Sequence, residues 1–412
     1  MHHLPSAHPI ATPWQIFVMA MMAGVTLANI YYCQPILAQI AASLGTSPDR
    51  AGLLPVLTQL GYGIGLFFIA PLGDIFDRKK LVITLQILLI ITLIITTRLQ
   101  SLYSMMAVVF ATGLLAVSVQ IVVPMAASLA SPETKGKVVG MVFTGSLTGI
   151  LSARVFSGLT GEWLSWQWVY ALSALMVAVV SLLFWRCLPT VKPAHSSRYS
   201  ALLVSTLHQA VRFGQLRRLS LLGALSFGAF SAFWTTLALH LAAKPFGYKS
   251  DVIGLFGLLA LVGTLLTPWL GRLSDRISPP RIQVLSLVIM TLASLISGLW
   301  PVSLIAMIAV TLLLDVGMQA TQVNNLSQIY RLDESAHSRI NTFFMSCFFW
   351  GGALGTLAGV MCWKLGGWRL VSWQLFIWTL TGLLVTLRAV RRSKPAVPPG
   401  SHEPLGKSER VP

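Results

Sequence analysis

Charge is what this sequence has least of. Asp, Glu, Lys and Arg make up 10% of its 412 residues, against 55% hydrophobic residues, whereas a soluble domain carries about 25% charged residues. So few charges could not cover the surface of a water-soluble fold of this size, which excludes soluble enzymes and soluble binding modules alike. Acidic residues are the scarcer sign, 12 against 29 basic ones, for a net charge of +17. No basic patch carries interleaved aromatics, so nucleic acid is not expected as a partner. The four cysteines (Cys33, Cys187, Cys347 and Cys362) lack CxxC spacing. Three lie in apolar stretches and Cys187 ends one, which reads as small buried hydrophobes rather than disulfides or metal ligands. There is no Walker loop, nucleophile elbow or zinc motif, which argues against ATP-driven pumping, and no cofactor is expected. The GYGIG run at 61–65 follows no strand, so it is no nucleotide loop. His2, His3 and His8 cluster too loosely to read as a metal site. No Lys or Arg precedes the first apolar stretch. A secretory signal needs a basic leading region, so that stretch is expected to stay as a membrane helix.

What the chain has in abundance is apolar runs of bilayer length, for which a helix needs about 20 residues. Twelve windows stand between charged or Pro/Gly punctuation: 14–38, 51–72, 80–97, 103–129, 138–161, 167–188, 219–242, 251–271, 283–300, 302–328, 340–363 and 370–388. We number them span one to span twelve. The longest connection, 189–218, is basic, carries a weakly amphipathic stretch at 201–213 suited to a membrane interface, and reads as a linker between halves. A cytoplasmic tail at 1–13 and a disordered one at 391–412 are expected to flank bundles at 14–188 and 219–390.

Lysine and arginine then orient the chain. With twelve spans, 22 of them fall on the side that holds both termini and six on the other, with Arg154 left inside span five. Positive residues mark the cytoplasmic side, so both termini are expected in the cytoplasm, in a bacterial inner membrane.

The halves also echo each other. Ala70, Leu72 and Asp74 after span two match Gly271, Leu273 and Asp275 after span eight, 201 residues on. Lys137 matches Arg339, and Trp166 matches Trp368, both 202 residues on. A duplicated six-helix unit places a solute site between the halves, near the bilayer midplane.

These residues resemble the major facilitator superfamily over about residues 14–388. That family's loop after span two reads G-x-L-x-D-R-x-G-R-R/K. Leu72, Asp74, Arg78 and Lys79 fit it, with Ala70, Ile75 and Asp77 in place of Gly, Arg and Gly; the second copy keeps Gly271, Leu273, Asp275 and Arg276. NIYYCQP at 29–35 and SRIN at 338–341 are similar to its drug- and metabolite-exporter branch. Span four lacks the arginine, and 145–149 the Gly-Pro, that such exporters often carry. The resemblance implies an all-α membrane protein of twelve helices in two pseudo-symmetric six-helix bundles. It implies that Asp74, Arg78, Lys79, Asp275, Arg276 and Arg339 latch the halves together on the cytoplasmic side, and that spans one, four, seven and ten line the cavity. The Asp74 carboxylate also suits the positive N-terminal end of span eleven. Arg78, Lys79 and Lys80 could equally fix topology or meet anionic lipid heads.

Eleven of the twelve acidic residues fall in loops, tails or span ends. Asp315 is the exception, about 12 residues into span ten, or about 18 Å at 1.5 Å per residue. A carboxylate in lipid costs several kcal/mol unless paired or protonated, which makes Asp315 the candidate for proton coupling; a structural partner for a helix or a buried water is the other role open to it. Arg154 could pair with Asp315, bind an anionic solute or reach the periplasmic surface. Asp315, Gln319 and Gln322 share one helix face, with Asn325 a further step down. Asn29, Tyr32 and Gln34 cluster in span one before Pro35. With Gln120 in span four, Trp234 in span seven and Arg154, they complete the candidate solute contacts, although each Asn or Gln could equally be an interhelical hydrogen bond. The expected protein is a monomeric, proton-coupled exporter of a small organic solute, without enzymatic activity. An uncoupled facilitator or importer and a non-transporting sensor are the rival readings.

Overall fold

A computed structural model describes residues 10–131, 133–191, 198–261, 266, 277–333 and 336–392. Among them every regular element is helical, and helix coincides with each of the twelve windows. Nine stretches are long and apolar enough to cross a membrane. One of these, His337–Arg392, is two helices folded at Gly366 and Gly367, where φ reaches +60° at Gly367. Pro13–Ala28 and Ser250–Leu259 are shorter apolar helices.

Local chemistry sets the ends. Thr12 caps span one with a reciprocal box to Gln15, and Pro13 opens the first turn where its missing N–H costs nothing. The amide of Gln15 also donates to the Cys187 carbonyl at 2.7 Å, closing the end of span six. Asp77 caps span three (Arg78–Thr96) through the Lys80 amide. Most of span seven is buried inside the bundle, while two-thirds of span three faces outward, as a central and a lipid-facing helix should.

Three windows are corrected. Span one stops at Ala28 and runs on as turns to Leu37. Pro35 has no N–H to offer the Tyr31 carbonyl, and the Asn29 amide bonds back to Val25 and Thr26 at 2.9 and 3.2 Å. Span four breaks at Val117 and Ser118, between Leu102–Ala116 and Val119–Ser128, and Pro124 inside the second piece withholds a donor from the Gln120 carbonyl. Span seven starts at Gly214 rather than 219, because Arg217 satisfies the carbonyls of Ala210 and Val211 at the end of the preceding helix.

That preceding helix, Tyr199–Arg212, occupies the linker. Tyr199 donates to the Phe68 carbonyl at 2.7 Å, Arg339 donates to Ser205 at 2.7 Å, and Arg212 pairs with Asp333 at 2.7 Å. It therefore touches the end of span two and the segments flanking span eleven.

The two halves repeat their internal joints. Gln86 in span three donates to Thr26 and Ser118 at 2.9 and 2.8 Å, while Gln283 in span nine accepts from Asn324 at 2.7 Å. In each half a buried glutamine on the third helix holds the fourth. The segments 1–9 and 393–412, with His2, His3 and His8, lie outside the described residues, as does the second motif copy with Gly271, Leu273, Asp275 and Arg276.

Candidate functional site

A cavity of about 160 Å³ lies between the halves. Span five supplies Phe143, Leu147, Ile150 and Arg154, at helical spacings that put them on one face. Span ten supplies Asp315, Gln319 and Gln322, span four Gln120, and spans one and two Tyr31 and Tyr62. Phe227 and Phe230 of span seven and Phe348 and Phe349 of span eleven close it with aromatic surface.

The two charges are held differently. Arg154 is 2% exposed. Its Nε donates to Gln34 Oε1 at 3.1 Å, and its guanidinium lies 3.9 Å from the Trp234 ring centroid and 5.2 Å from that of Tyr31. A desolvated contact of this kind contributes about 2 kcal/mol. Its two terminal nitrogens make no hydrogen bond or ion pair among the described residues. Asp315 is also 2% exposed, and its Oδ2 has no hydrogen-bond partner among the described residues. The carboxylate and the guanidinium share the cavity wall without meeting as an ion pair.

On the side away from Asp74 the halves are shut. Leu37, Ala41 and Ala51 of the first half pack with Leu239 and Trp363 of the second. Beside them the Glu162 carboxylate takes Lys249 Nζ at 2.8 Å on Oε1 and Gln39 Nε2 at 3.2 Å on Oε2. On the Asp74 side a second cavity, of about 580 Å³, runs between Asp74, Arg78, Pro124 and Lys135 of the first half and Tyr330, His337 and Arg339 of the second. Gln120 lines both cavities and donates to the Tyr62 hydroxyl at 3.0 Å. The Tyr62 and Phe349 rings, their centroids 4.4 Å apart, join spans two and eleven at the cavity wall.

A sequence model of the Major Facilitator Superfamily matches residues 16–356, and again 219–411. The chain belongs to the major facilitator superfamily. It is 37% identical over 385 residues to the transporter YgaY of Escherichia coli, covering 93% of this chain and 98% of that one. To SCO4007 of Streptomyces coelicolor, also named as a transporter, it is 31% identical over 344 residues, covering 83% and 80%. Among solved structures, the nucleoside transporter NupG superposes with a TM-score of 0.74 at 11% identity, over 92% of this chain and 100% of that one. A bacterial homolog of the human lysosomal transporter Spinster, inward-facing and occupied, gives 0.73 at 13%, over 94% and 100%. At those identities the likeness is one of fold. This protein is thus a multi-pass membrane transporter of the superfamily.

In this superfamily member the residues singled out by sequence fall into three groups. Asp315, Arg154, Gln120, Gln319 and Gln322 line the central cavity, with Gln34 and Trp234 holding Arg154 from behind. Arg154 is buried and lines the cavity, so the expectation that it could reach the periplasmic surface is corrected, as is direct pairing with Asp315: its hydrogen bond to Gln34 and the Trp234 ring 3.9 Å away hold it where it stands. Asn29, Tyr32 and Asn325 point elsewhere. Asn29 accepts from Ser173 of span six at 2.7 Å, and Tyr32 packs on Phe156 in an outer groove between spans one and five. Asn325 is fully buried outside the cavity, with both amide atoms unpartnered among the described residues.

The loop residues form the third group. Arg78 bonds the Gly73 carbonyl at 3.0 Å, the Pro124 carbonyl at 3.3 Å and Asp74 at 3.3 Å, while Lys79 donates to the Leu188 carbonyl at 2.6 Å. Both tie the loop to ends of spans in their own half, where unpaired carbonyls and the helix dipole favour a cation. Asp74 faces span eleven across the open cavity. Sequence reasoning missed Tyr31, Tyr62 and the phenylalanines. The spacing of Phe227, Phe230 and Trp234 at i, i+3 and i+7 could have found one aromatic wall.

Proposed function

We propose that this transporter is a proton-coupled secondary exporter of a small organic solute, working by alternating access in a bacterial inner membrane with both termini cytoplasmic. One observation carries the reading: the buried Asp315 carboxylate, with one oxygen unpartnered among the described residues, stands on the wall of a cavity between two similar halves. An ionised acid there costs several kcal/mol, so it favours whichever state supplies a proton or a counter-charge. The charged and titratable groups sharing its cavity wall are Arg154, Tyr31 and Tyr62. With Lys and Arg concentrated on the Asp74 side, the shut face is periplasmic and the wider cavity opens to the cytoplasm.

In the cycle we envisage, solute enters past Gln120 and the Glu162–Lys249 gate parts as the cytoplasmic cavity closes. A periplasmic proton then reaches Asp315 and the halves rock back. Closure brings Asp74 to the N-terminal end of span eleven, and Asp275 and Arg276 are expected to act alike in the second copy.

The test is transport in proteoliposomes with a solute identified by a thermal-shift screen at two pH values. Asp315→Asn should bind the solute yet lose transport driven by a pH gradient. Full gradient-driven transport by that variant removes Asp315 from the mechanism, and wild-type transport indifferent to the gradient makes the protein an uncoupled facilitator.

A further inference from the structure

We infer that the solute is a small zwitterion: a molecule bearing a carboxylate and an ammonium on an apolar or aromatic frame. The inference rests on reading the central cavity as the solute site. Its basis is the coexistence, on one cavity wall, of two opposite charges that feel each other but make no direct ion pair or hydrogen bond. Arg154 is held at Nε by Gln34 and lies over the Trp234 ring, with the Tyr31 ring farther off, which leaves the fork of its terminal nitrogens as the free edge. That fork matches a planar carboxylate through two parallel hydrogen bonds. Asp315 lines the same cavity, and its Oδ2 takes no hydrogen bond among the described residues, so its carboxylate charge is not answered by a donor there. A buried charge without a partner is costly, and a solute lying between the two relieves both at once.

The same arrangement rejects simpler ions. A lone cation meets Arg154 and a lone anion meets Asp315, each a like charge in a low-dielectric space where repulsion is strong. Size narrows the class further. Pockets for drug-sized ligands span about 300–1,000 Å³, and this one holds about 160 Å³, the scale of an amino acid. The Phe227, Phe230, Phe348 and Phe349 rings supply the apolar wall against which the frame would pack.

The experiment uses full-length protein in nanodiscs, with binding followed by thermal shift and by tryptophan fluorescence, to which Trp234 over Arg154 contributes. The probes are phenyl-bearing α-, β- and γ-amino acids, each beside its N-acetyl derivative and its carboxamide. At least one amino acid should bind. Its N-acetyl and amide forms should bind at least tenfold more weakly, equivalent to about 1.4 kcal/mol, because each leaves one buried charge unanswered. Arg154→Gln should abolish discrimination against the amide, and Asp315→Asn discrimination against the N-acetyl form. If either variant fails to fold, the wild-type panel decides alone. Absence of binding by every amino acid, or equal binding by a singly charged derivative, overturns the inference. Because binding is read without flux, charge-selective binding with no transport would sink the transporter cycle and leave the zwitterion standing. Transport of a singly charged solute would do the reverse.

Discussion

Span one crosses span five at Gly24 and Gly149, and span seven crosses span eleven at Gly228 and Gly355. In both crossings a Cβ on the later glycine would run into the backbone of the earlier one. The joints match, and so do the glutamines that brace the third helix of each half. The cargo of charge does not. The first half brings Arg154 to the cavity on its fifth helix, while the second brings Asp315 on its fourth. At the place in span four that the 202-residue repeat pairs with Asp315 stands Gly113, whose close approach to Thr58 leaves no space for a side chain. Duplication thus preserved the contacts that let helices approach and let the cavity-facing positions diverge. A symmetric shell came to enclose an asymmetric site.

That contrast can be broken most forcefully at the joints. Gly149→Leu and Gly355→Leu should each cost several kcal/mol through overpacking and abolish monodisperse protein on size-exclusion chromatography. A half that tolerated its leucine would show that the two crossings are not equivalent. A milder change probes the asymmetric part. Arg154→Lys keeps the charge but loses the fork and the stacked plane, and solute affinity should fall about ten- to a hundredfold in thermal-shift titrations, at about 1.4 kcal/mol per tenfold, while the fold persists. Unchanged affinity would make Arg154 a structural cation only.

The gate should respond least. Glu162→Gln removes the ion pair beside the apolar plug on the side away from Asp74, and a cysteine introduced at Ala51 should then react faster with a membrane-impermeant maleimide. Unaltered labelling would mean that the apolar plug closes that side unaided. The Glu162 hydrogen bond, then its charge, raises the Lys249 pKa above the usual lysine range. A raised lysine stabilises the pair below its unfolded value, near 10.4, and that contribution fades only as pH climbs through the folded value. Because the thiolate is the reacting form, the ratio of labelling rates between Glu162→Gln and the parent should be the same at pH 7 and 9, and should fall towards one only in strong alkali.

The fold was legible because bilayer-length apolar runs, basic loops and a repeat at one spacing are coarse signals that survive without atomic detail. The cavity charges were legible for the opposite reason. In spans this apolar, Asp315 and Arg154 are costly exceptions, and the glutamines beside them follow the same helix face. Rotation was the hidden variable. When a helix is apolar all round, hydrophobic periodicity does not say which face meets a cavity, so Asn325 could be placed on span ten but not aimed. Tyr31 and Tyr32 differ by a third of a turn, and the break that Asn29 and Pro35 impose decides which of them enters the site. The phenylalanine wall was unreadable for a related reason: an aromatic ring facing lipid and one facing solute look the same in a sequence.

The helix Tyr199–Arg212 carries a consequence for the range of motion. It is fastened at one end to the Phe68 carbonyl and, further along, to Arg339 and Asp333 on the opposite bundle. Any swing that widens the mouth on the Asp74 side must stretch this tether or undo one of its fastenings. The strap therefore sets a stop on the stroke, and its short polar anchors fix how far the machine can travel before it turns back.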